Sequence, residues 1–593
     1  MTSMETGRPA AGPNRFSGGR TRVAACTALA LAAGMLLAAP AAHADDAPVP
    51  LPSVERPVPG AGEQQPTSTL KRSPAKRGAI SAQDEGAPLA APRSDVNGDG
   101  WSDLISQGLD GSVWVHTFDG NNPSVLGLHD PYDGTSAHVH KDIFSVAGLR
   151  SDGPVHFTLS STGRLTAFAN DTTYPSAYWS GTGWQQFNKV FSPGDLTGDG
   201  VGDVLARNHA GELFLYRATP GASAPLASKA GIGGGWAQYD QLAGVNDVNN
   251  DGIADLFART PAGELFFYSG TGNASRPFEA RVKVGDGWQI FNTLFSLDDF
   301  TEDGNAELMA RAANGDLYTY VSTGTGKFLP RTKFGSDWHF RNQFANAGNI
   351  PAWGKNEVFG VDGSGTLWWY YDRNNGTLAP RQKISDTGGW KGAKITVASS
   401  LNDDSYADLL QIYNGHLYNY DIDNAPYDLG GGWGQFDTVL GAGDLSGDGK
   451  GDLVTRNSAG ELFLHRGNGN GTGFASKLRV GSGWGQFNVL TGAGDISGDG
   501  RGDLIARARD GRLYLYEGTG VSSAPFRAKK LIGSGWGQFG RFAVVSDMTG
   551  DGRADLLARA SDGTMYRYDA DGRGNFKPRV KLGPGWNTYS SLF

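Results

Sequence analysis

Residues 495–507 read DISGDGRGDLIAR. Oxygen-bearing side chains stand at positions one, three, five and nine (Asp495, Ser497, Asp499, Asp503), a glycine stands at six (Gly500), and an apolar run follows at once. The same device is written DLTGDGVGDVLAR from Asp195, DVNNDGIADLFAR from Asp247, DLSGDGKGDLVTR from Asp444 and DMTGDGRADLLAR from Asp547. A pattern used this often is a building block, so its spacing speaks to the fold and its chemistry to the function.

From Asp95 onward the chain repeats about every 50 residues. Each unit runs from the acidic loop into a strand such as DLIAR, turns into a second such as GRLYLY, and crosses a Gly-rich connector to a third such as RAKKLIG. GSGWGQF and a fourth strand close it. Four short antiparallel strands per unit, many times over, predict an all-β fold of β-propeller blades. Ten units can be counted: seven carry well-formed acidic loops, and three are worn, near Gly148, Asn349 and Ser400.

Ten blades exceed the roughly four to eight of a single ring. A second-order period resolves this. GTGKFLPRTKFG (324–335) recurs as GRGNFKPRVKLG (572–583), and SGTGNASRPFEA (269–280) as EGTGVSSAPFRA (517–528), both 248 residues on. Two tandem five-bladed rings are therefore expected, over residues 93–344 and 345–593, with one ten-bladed ring as the alternative. The spare strands SDWHFRNQF (336–344) and GWNTYSSLF (585–593) would close the rings, leaving no open sheet edge.

The rest of the composition agrees. The 593 residues include 89 Gly, 29 Phe, 20 Tyr and 15 Trp, which fits many short strands and tight turns. Residues 1–44 read as a signal peptide: Arg15, Arg20 and Arg22 precede an apolar core, and AHA ends at Ala44 as a cleavage site. Secretion, an extracellular location and a mature chain without a membrane span are expected. Residues 45–92, rich in Pro, Ala, Ser and Gln, read as a flexible spacer. The single cysteine, Cys26, lies inside the signal, so a mature chain would have no disulfides. The net charge is −9, and residues 1–44 contribute +3, leaving the remainder at −12. Such a chain is a poor partner for nucleic acid and a good one for cations.

Alternating oxygens with a sharp-turn glycine suit a hard cation of six to eight oxygen ligands, and Ca²⁺ is the natural occupant, in a structural role. The candidate ligands are Asp95, Asn97, Asp99 and Asp103; Asp195, Thr197, Asp199 and Asp203; Asp247, Asn249, Asp251 and Asp255; and Asp299, Thr301, Asp303 and Glu307 in the first half. Asp444, Ser446, Asp448 and Asp452; Asp495, Ser497, Asp499 and Asp503; and Asp547, Thr549, Asp551 and Asp555 follow in the second. The other reading is an Asp-rich turn whose side chains cap backbone amides. No EF-hand is written here, because position twelve is Ala506 rather than Glu and a strand follows instead of a helix. At the worn unit near Gly148, Arg150 and His156 replace ligands, and no metal is expected.

The DxDxDGxxD loop ahead of a propeller strand resembles the FG-GAP/VCBS repeats of integrin-like propellers, which implies calcium-bound loops. A second set repeats beside it: Trp184, Trp236, Trp288, Trp433, Trp484, Trp536 and Trp586, each followed three residues on by Phe or Tyr. Packing between blades is one use for them. A sugar-binding face is the other, since GxGGWxxF resembles tachylectin-like five-bladed propellers, a likeness that implies N-acetylated sugars held between blades. The arginines that end each LxAR strand (Arg207, Arg259, Arg311, Arg456, Arg507, Arg559) could grip sugar hydroxyls or tie neighbouring strands. No HExxH, GxSxG or P-loop is present. A non-enzymatic, monomeric binding module for glycans is therefore expected. The alternatives are a protein scaffold or adhesin, and a polysaccharide-degrading enzyme with its site in a worn unit.

Overall fold

The computed structural model describes residues 51–593 except 62, 71–89, 129–138, 352–355, 386, 403, 405 and 421–425. The signal-peptide reading of residues 1–44 lies outside the described residues.

Among the described residues ten antiparallel sheets follow one another along the chain, nine four-stranded and one five-stranded. Blade 9 shows the plan: Phe487–Gly494, Asp503–Ala508, Leu513–Tyr516 and Lys530–Gly533, paired in that order from the inside out. Blades 2 to 5 occupy 142–181, 187–233, 241–285 and 291–336, and blades 7, 8 and 10 occupy 394–428, 436–481 and 539–583. Blades 1 and 6 borrow their innermost strands. Arg341–Phe344 pairs with Leu104–Gly108, and Tyr589–Leu592 pairs with Glu357–Asp362. The strand that closes the first ring thus arrives after five blades and the one that closes the second after five more, so the fold is two five-bladed propellers and not a ten-bladed ring.

The packing says the same. Ten apolar clusters each lie between neighbouring blades. Phe295 stacks on Phe344 with centroids 4.3 Å apart, joining blade 5 to blade 1, and Val545, Leu557 and Tyr589 join blade 10 to blade 6. Strands inside this sandwich are covered on both faces, which is why Leu504, Ile505 and Ala506 are all fully buried rather than alternating. The outermost strands alternate less and face water: Ser228–Gly233 is exposed at nearly every position.

The segment read as a spacer is laid against both rings over residues 51–70. Val54 pairs with Ser385 at the outer edge of blade 6, and Arg56 forms a buried ion pair with Glu357 at 2.8 Å. Thr67–Ser68 then adds a fifth strand to blade 5 beside Thr332–Ser336. Composition reads this stretch as unstructured because its Pro and Ala carry no period, yet its backbone finds partners at two sheet edges.

Candidate functional site

All seven acidic loops fold alike. The N–H of the position-six glycine reaches the position-one Asp at 2.6–3.2 Å. The position-seven N–H reaches position five at 2.9–3.1 Å. The position-two N–H reaches position nine at 2.8–3.0 Å. Capping of backbone amides is therefore real, and in the loop from Asp299 it leaves three carboxylates gathered together. Gly500 holds φ 84° at the sharp turn, and a Cβ there would lie 2.6 Å from Asn188 Cβ, so neither conformation nor space admits a side chain.

Amides use only part of each carboxylate's acceptor capacity. Ligand atoms of Asp299, Asp303 and Glu307 all lie within 4.8 Å of one another. Asn249 Oδ1 and Asp555 Oδ1 are buried and accept no hydrogen bond. Burial, joined by the neighbouring Asp499, pushes Asp495 up to about 7; burial likewise lifts Asp203 and Asp452 to about 7 and Glu307 to about 8. Asp503 and Asp255 stand well above the usual carboxylate range for the same first cause. Crowded, oxygen-only donor sets that resist ionisation fit a hard divalent cation. At the worn Ser400 unit, Asp408 still accepts the Leu401 N–H at 2.6 Å, but Ser400 and Asn402 turn inward onto each other.

Two of these loops also lie between the rings. Asn188 and His209 of blade 3 contact the Asp499 carbonyl at 2.9 and 3.0 Å, and Asn292 and Arg311 of blade 5 reach the Thr549 and Gly550 carbonyls at 2.8 and 3.0 Å. Beside them the rings enclose a polar cavity of about 340 Å³, bordered by Lys141, Gln185, His209, Asp444, Asp495 and Arg501. Burial draws the Lys141 ammonium down to about 8, and it donates to the Phe187 carbonyl at 2.7 Å.

In worn blade 2 a tight turn at 150–153 replaces the acidic loop, and a hydrogen-bond chain takes its place. Ser145 Oγ lies 2.9 Å from His156 Nδ1, His156 Nε2 lies 3.0 Å from Asn170 Oδ1, and Asn170 donates to the Val96 carbonyl in the loop of blade 1. The order resembles a nucleophile, base and orienter. However, Ser145 and His156 are wholly buried and burial lowers the imidazole to about 4, so the chain is a neutral brace without substrate access.

The seven tryptophans sit in equivalent aromatic boxes. Each opens a single 3₁₀ turn after a left-handed residue, Gly183 at φ 94° and Gly483 at φ 86° among them. Each indole faces the next blade's aromatic at 4.5–5.1 Å: Tyr216, Tyr268, Tyr320, His465, Tyr516, Tyr568 and Tyr370 in turn. The strand-end arginines hold these turns. Arg207 donates to the carbonyls of Trp236 and Tyr239, Arg456 to those of Trp484 and Phe487, and Arg507 to those of Trp536 and Phe539. They tie neighbouring blades; Glu264 and Glu461 pair instead with Lys283 and Arg479, and Glu212 accepts from Asn208. Packing accounts for most of each indole's surface, but none of the seven indole N–H groups donates to a protein atom among the described residues. At Trp433 a cavity of about 280 Å³ opens, bordered by Gln435, His465, Phe474 and Lys477.

Two members of this set are missed by the GW-plus-aromatic signature. Trp338 follows Asp337, which adopts φ 66° where glycine is usual, and Trp390 has Ala393 in place of the aromatic three residues on. Both are fully buried because residues 51–70 cover them. Trp338 Nε1 donates to the Thr67 carbonyl at 2.9 Å, and Val54 packs on the Trp390 cluster.

Residues 444–506 and 495–558 match the model of the FG-GAP-like repeat. No curated protein sequence gives a significant match. Among solved structures, an Agrocybe aegerita lectin described as recognising non-reducing terminal N-acetylglucosamine aligns over 86% of this chain and 97% of its own, at 17% identity and a TM-score of 0.24. The BP39L lectin of Burkholderia pseudomallei aligns over 58% and 99%, at 16% identity and 0.27. AofleA of Arthrobotrys oligospora aligns over 60% and 88%, at 9% and 0.19. The chain is a repeat β-propeller protein that is similar to FG-GAP-like repeats over residues 444–558.

Proposed function

We propose that this is a secreted, calcium-stabilised binding protein whose open tryptophan pockets hold saccharides. The observation that carries the reading is the seven-fold recurrence of one box, an indole edge with an unused N–H beside a second aromatic, with a Gln two residues after five of the tryptophans, set on rigid rings. Aromatic edges suit the apolar face of a sugar, and an indole N–H suits a hydroxyl or acetamido oxygen. Many weak sites on a rigid frame gain by avidity when the ligand is itself a polymer. The signal-like residues 1–44 and the lack of cysteine beyond Cys26 support an extracellular setting.

Ca²⁺ would be held at each loop by positions one, three, five and nine and would neutralise carboxylates that the fold crowds together. It would act as a staple for blades without disulfides. A protein ligand is the second reading, supported by Thr67–Ser68, which shows that an outer blade edge accepts an extended strand.

A glycan array probed with calcium and with chelator tests the proposal. Binding to a saccharide family, lost when Trp433 or Trp484 is changed, is the expected result. No binding by folded, calcium-loaded protein would shift the function to a protein partner.

A further inference from the structure

Each of the seven boxes carries one basic side chain laid over its aromatic wall. In the Trp433 pocket Lys477 Nζ lies 4.7 Å from the Phe463 centroid and 5.1 Å from that of Phe436. Beside Trp184, Lys229 lies 3.9 Å from Phe214; beside Trp484, Lys529 lies 4.7 Å from Tyr514. Arginines do the same elsewhere: Arg281 on Phe266 at 4.4 Å, Arg331 on Tyr318 at 4.6 Å, Arg381 on Trp368 at 4.2 Å and Arg579 on Tyr566 at 4.3 Å.

All seven are exposed, and none forms an ion pair with a carboxylate among the described residues. That is not for want of acids: Lys283, two residues from Arg281, pairs with Glu264 at 2.8 Å, and Arg479, two from Lys477, pairs with Glu461 at 3.0 Å. Among the described residues a chain of net charge −9 thus keeps one cation without a carboxylate partner in every box, although Arg281 and Arg381 also donate to the hydroxyls of Tyr239 and Tyr589. The box the chain fills itself shows what its donors take, for Arg341 reaches Gln65 Oε1 at 2.6 Å while Trp338 reaches the Thr67 carbonyl.

We infer that the pockets read an acidic saccharide, with the sugar on the aromatic edges and its oxyanion on the Lys or Arg. The inference rests on the saccharide reading and adds the charge of the ligand. The stacked cation is held by the ring face, so little freedom is lost when the anion arrives. A uronic-acid carboxylate and a sugar phosphodiester offer the same chemistry, an oxyanion a few ångströms from the ring.

The test pairs glycans that differ only in charge. One arm uses uronic-acid polymers and the same polymers with carboxyl groups reduced to alcohols; the other uses phosphodiester-linked glycans and their dephosphorylated units. The variant is Lys229→Gln/Lys477→Gln/Lys529→Gln; the control, Lys327→Gln/Lys391→Gln/Lys394→Gln, removes equal charge outside the boxes. Tighter binding of the charged member, by about ten-fold, weakened by salt and by the variant but not by the control, is expected. The arm in which this occurs identifies the anion. Equal binding of charged and neutral members, unchanged in the variant, overturns the inference and leaves the saccharide reading standing. Binding of none, with the protein folded, overturns both.

Discussion

Arg553, on the acidic loop of blade 10, is ion-paired with Asp240 at the start of blade 4, so a loop built as a local staple also joins the two rings. Asp240 holds Arg259 as well, at 2.7 Å, and the two guanidinium groups keep its buried carboxyl below the usual range against the cost of burial. Asp240→Ala would leave buried Arg259 without a carboxylate and Arg553 with only Asp551 at 3.4 Å, a change that costs about 3–5 kcal/mol in comparable sites. Urea unfolding should then separate into two transitions, one per ring. A single transition at the parent midpoint would show that the rings dock without this pair.

Asp503→Asn distinguishes a cation site from a hydrogen-bonded turn. The amide oxygen still accepts the Ile496 and Ser497 N–H groups, now at 2.9 and 2.8 Å, at the loss of the Gly518 N–H that the other carboxylate oxygen takes at 2.9 Å, while the charge that Asp495 and Asp499 oppose is gone. In chelator the variant should melt above the parent by a few degrees, each kcal/mol being worth about 2–4 °C in a domain of this size. In calcium it should melt below it, having lost a ligand. The same order in both buffers would remove the metal assignment.

His156 sets an acid limit. Its folded-state value of about 4 lies below the ordinary 6.5, so the unfolded chain binds a proton that the native imidazole refuses. Stability present above the ordinary value is therefore lost as pH falls through that window toward about 4. His156→Gln should be less stable at neutral pH but lose less between pH 6.5 and 4. Parallel stability curves for the two proteins, followed by denaturant midpoint, would place the acid sensitivity elsewhere.

Arg507→Gln should detach the Trp536 turn. Removing the donor leaves two buried carbonyls, those of Trp536 and Phe539, a loss of about 1–3 kcal/mol. A lower melting temperature with a red-shifted tryptophan emission is expected; a shift in neither would show that the turn stands without Arg507.

Much of this was legible in the chain. The loop-strand-turn period gives the blades because each strand repeats one local pattern, and the 248-residue offset divides them into two rings. The placing of Asp495, Asp499 and Asp503 in one loop follows from spacing alone. The contacts of Asn188, His209 and Asp240 do not, since they depend on how two finished rings meet and leave no period behind. Lys477 and its six equivalents look like ordinary surface charge until the strand pairing sets them over aromatic rings. The covering of Trp338 escapes for a third reason: a segment of irregular composition supplies it from 271 positions away.

That covering is open to direct measurement. The Thr69 N–H donates to the Phe334 carbonyl at 2.7 Å, and the Thr67 carbonyl takes the Trp338 indole, so backbone groups of the segment make the cover at blade 5. Thr69→Pro removes that donor and leaves Trp338 and the blade-5 edge intact. Without the fifth strand, Trp338 gains water on its N–H edge. Acrylamide should then quench the variant's fluorescence more strongly, and a variant lacking residues 51–70 more strongly still, because Trp390 loses Val54 as well. If saccharide binding is then counted by calorimetry, the second variant should bind more equivalents per chain than the parent, since boxes the chain had filled become available. Unchanged quenching in both variants would mean that the segment does not cover these tryptophans in solution.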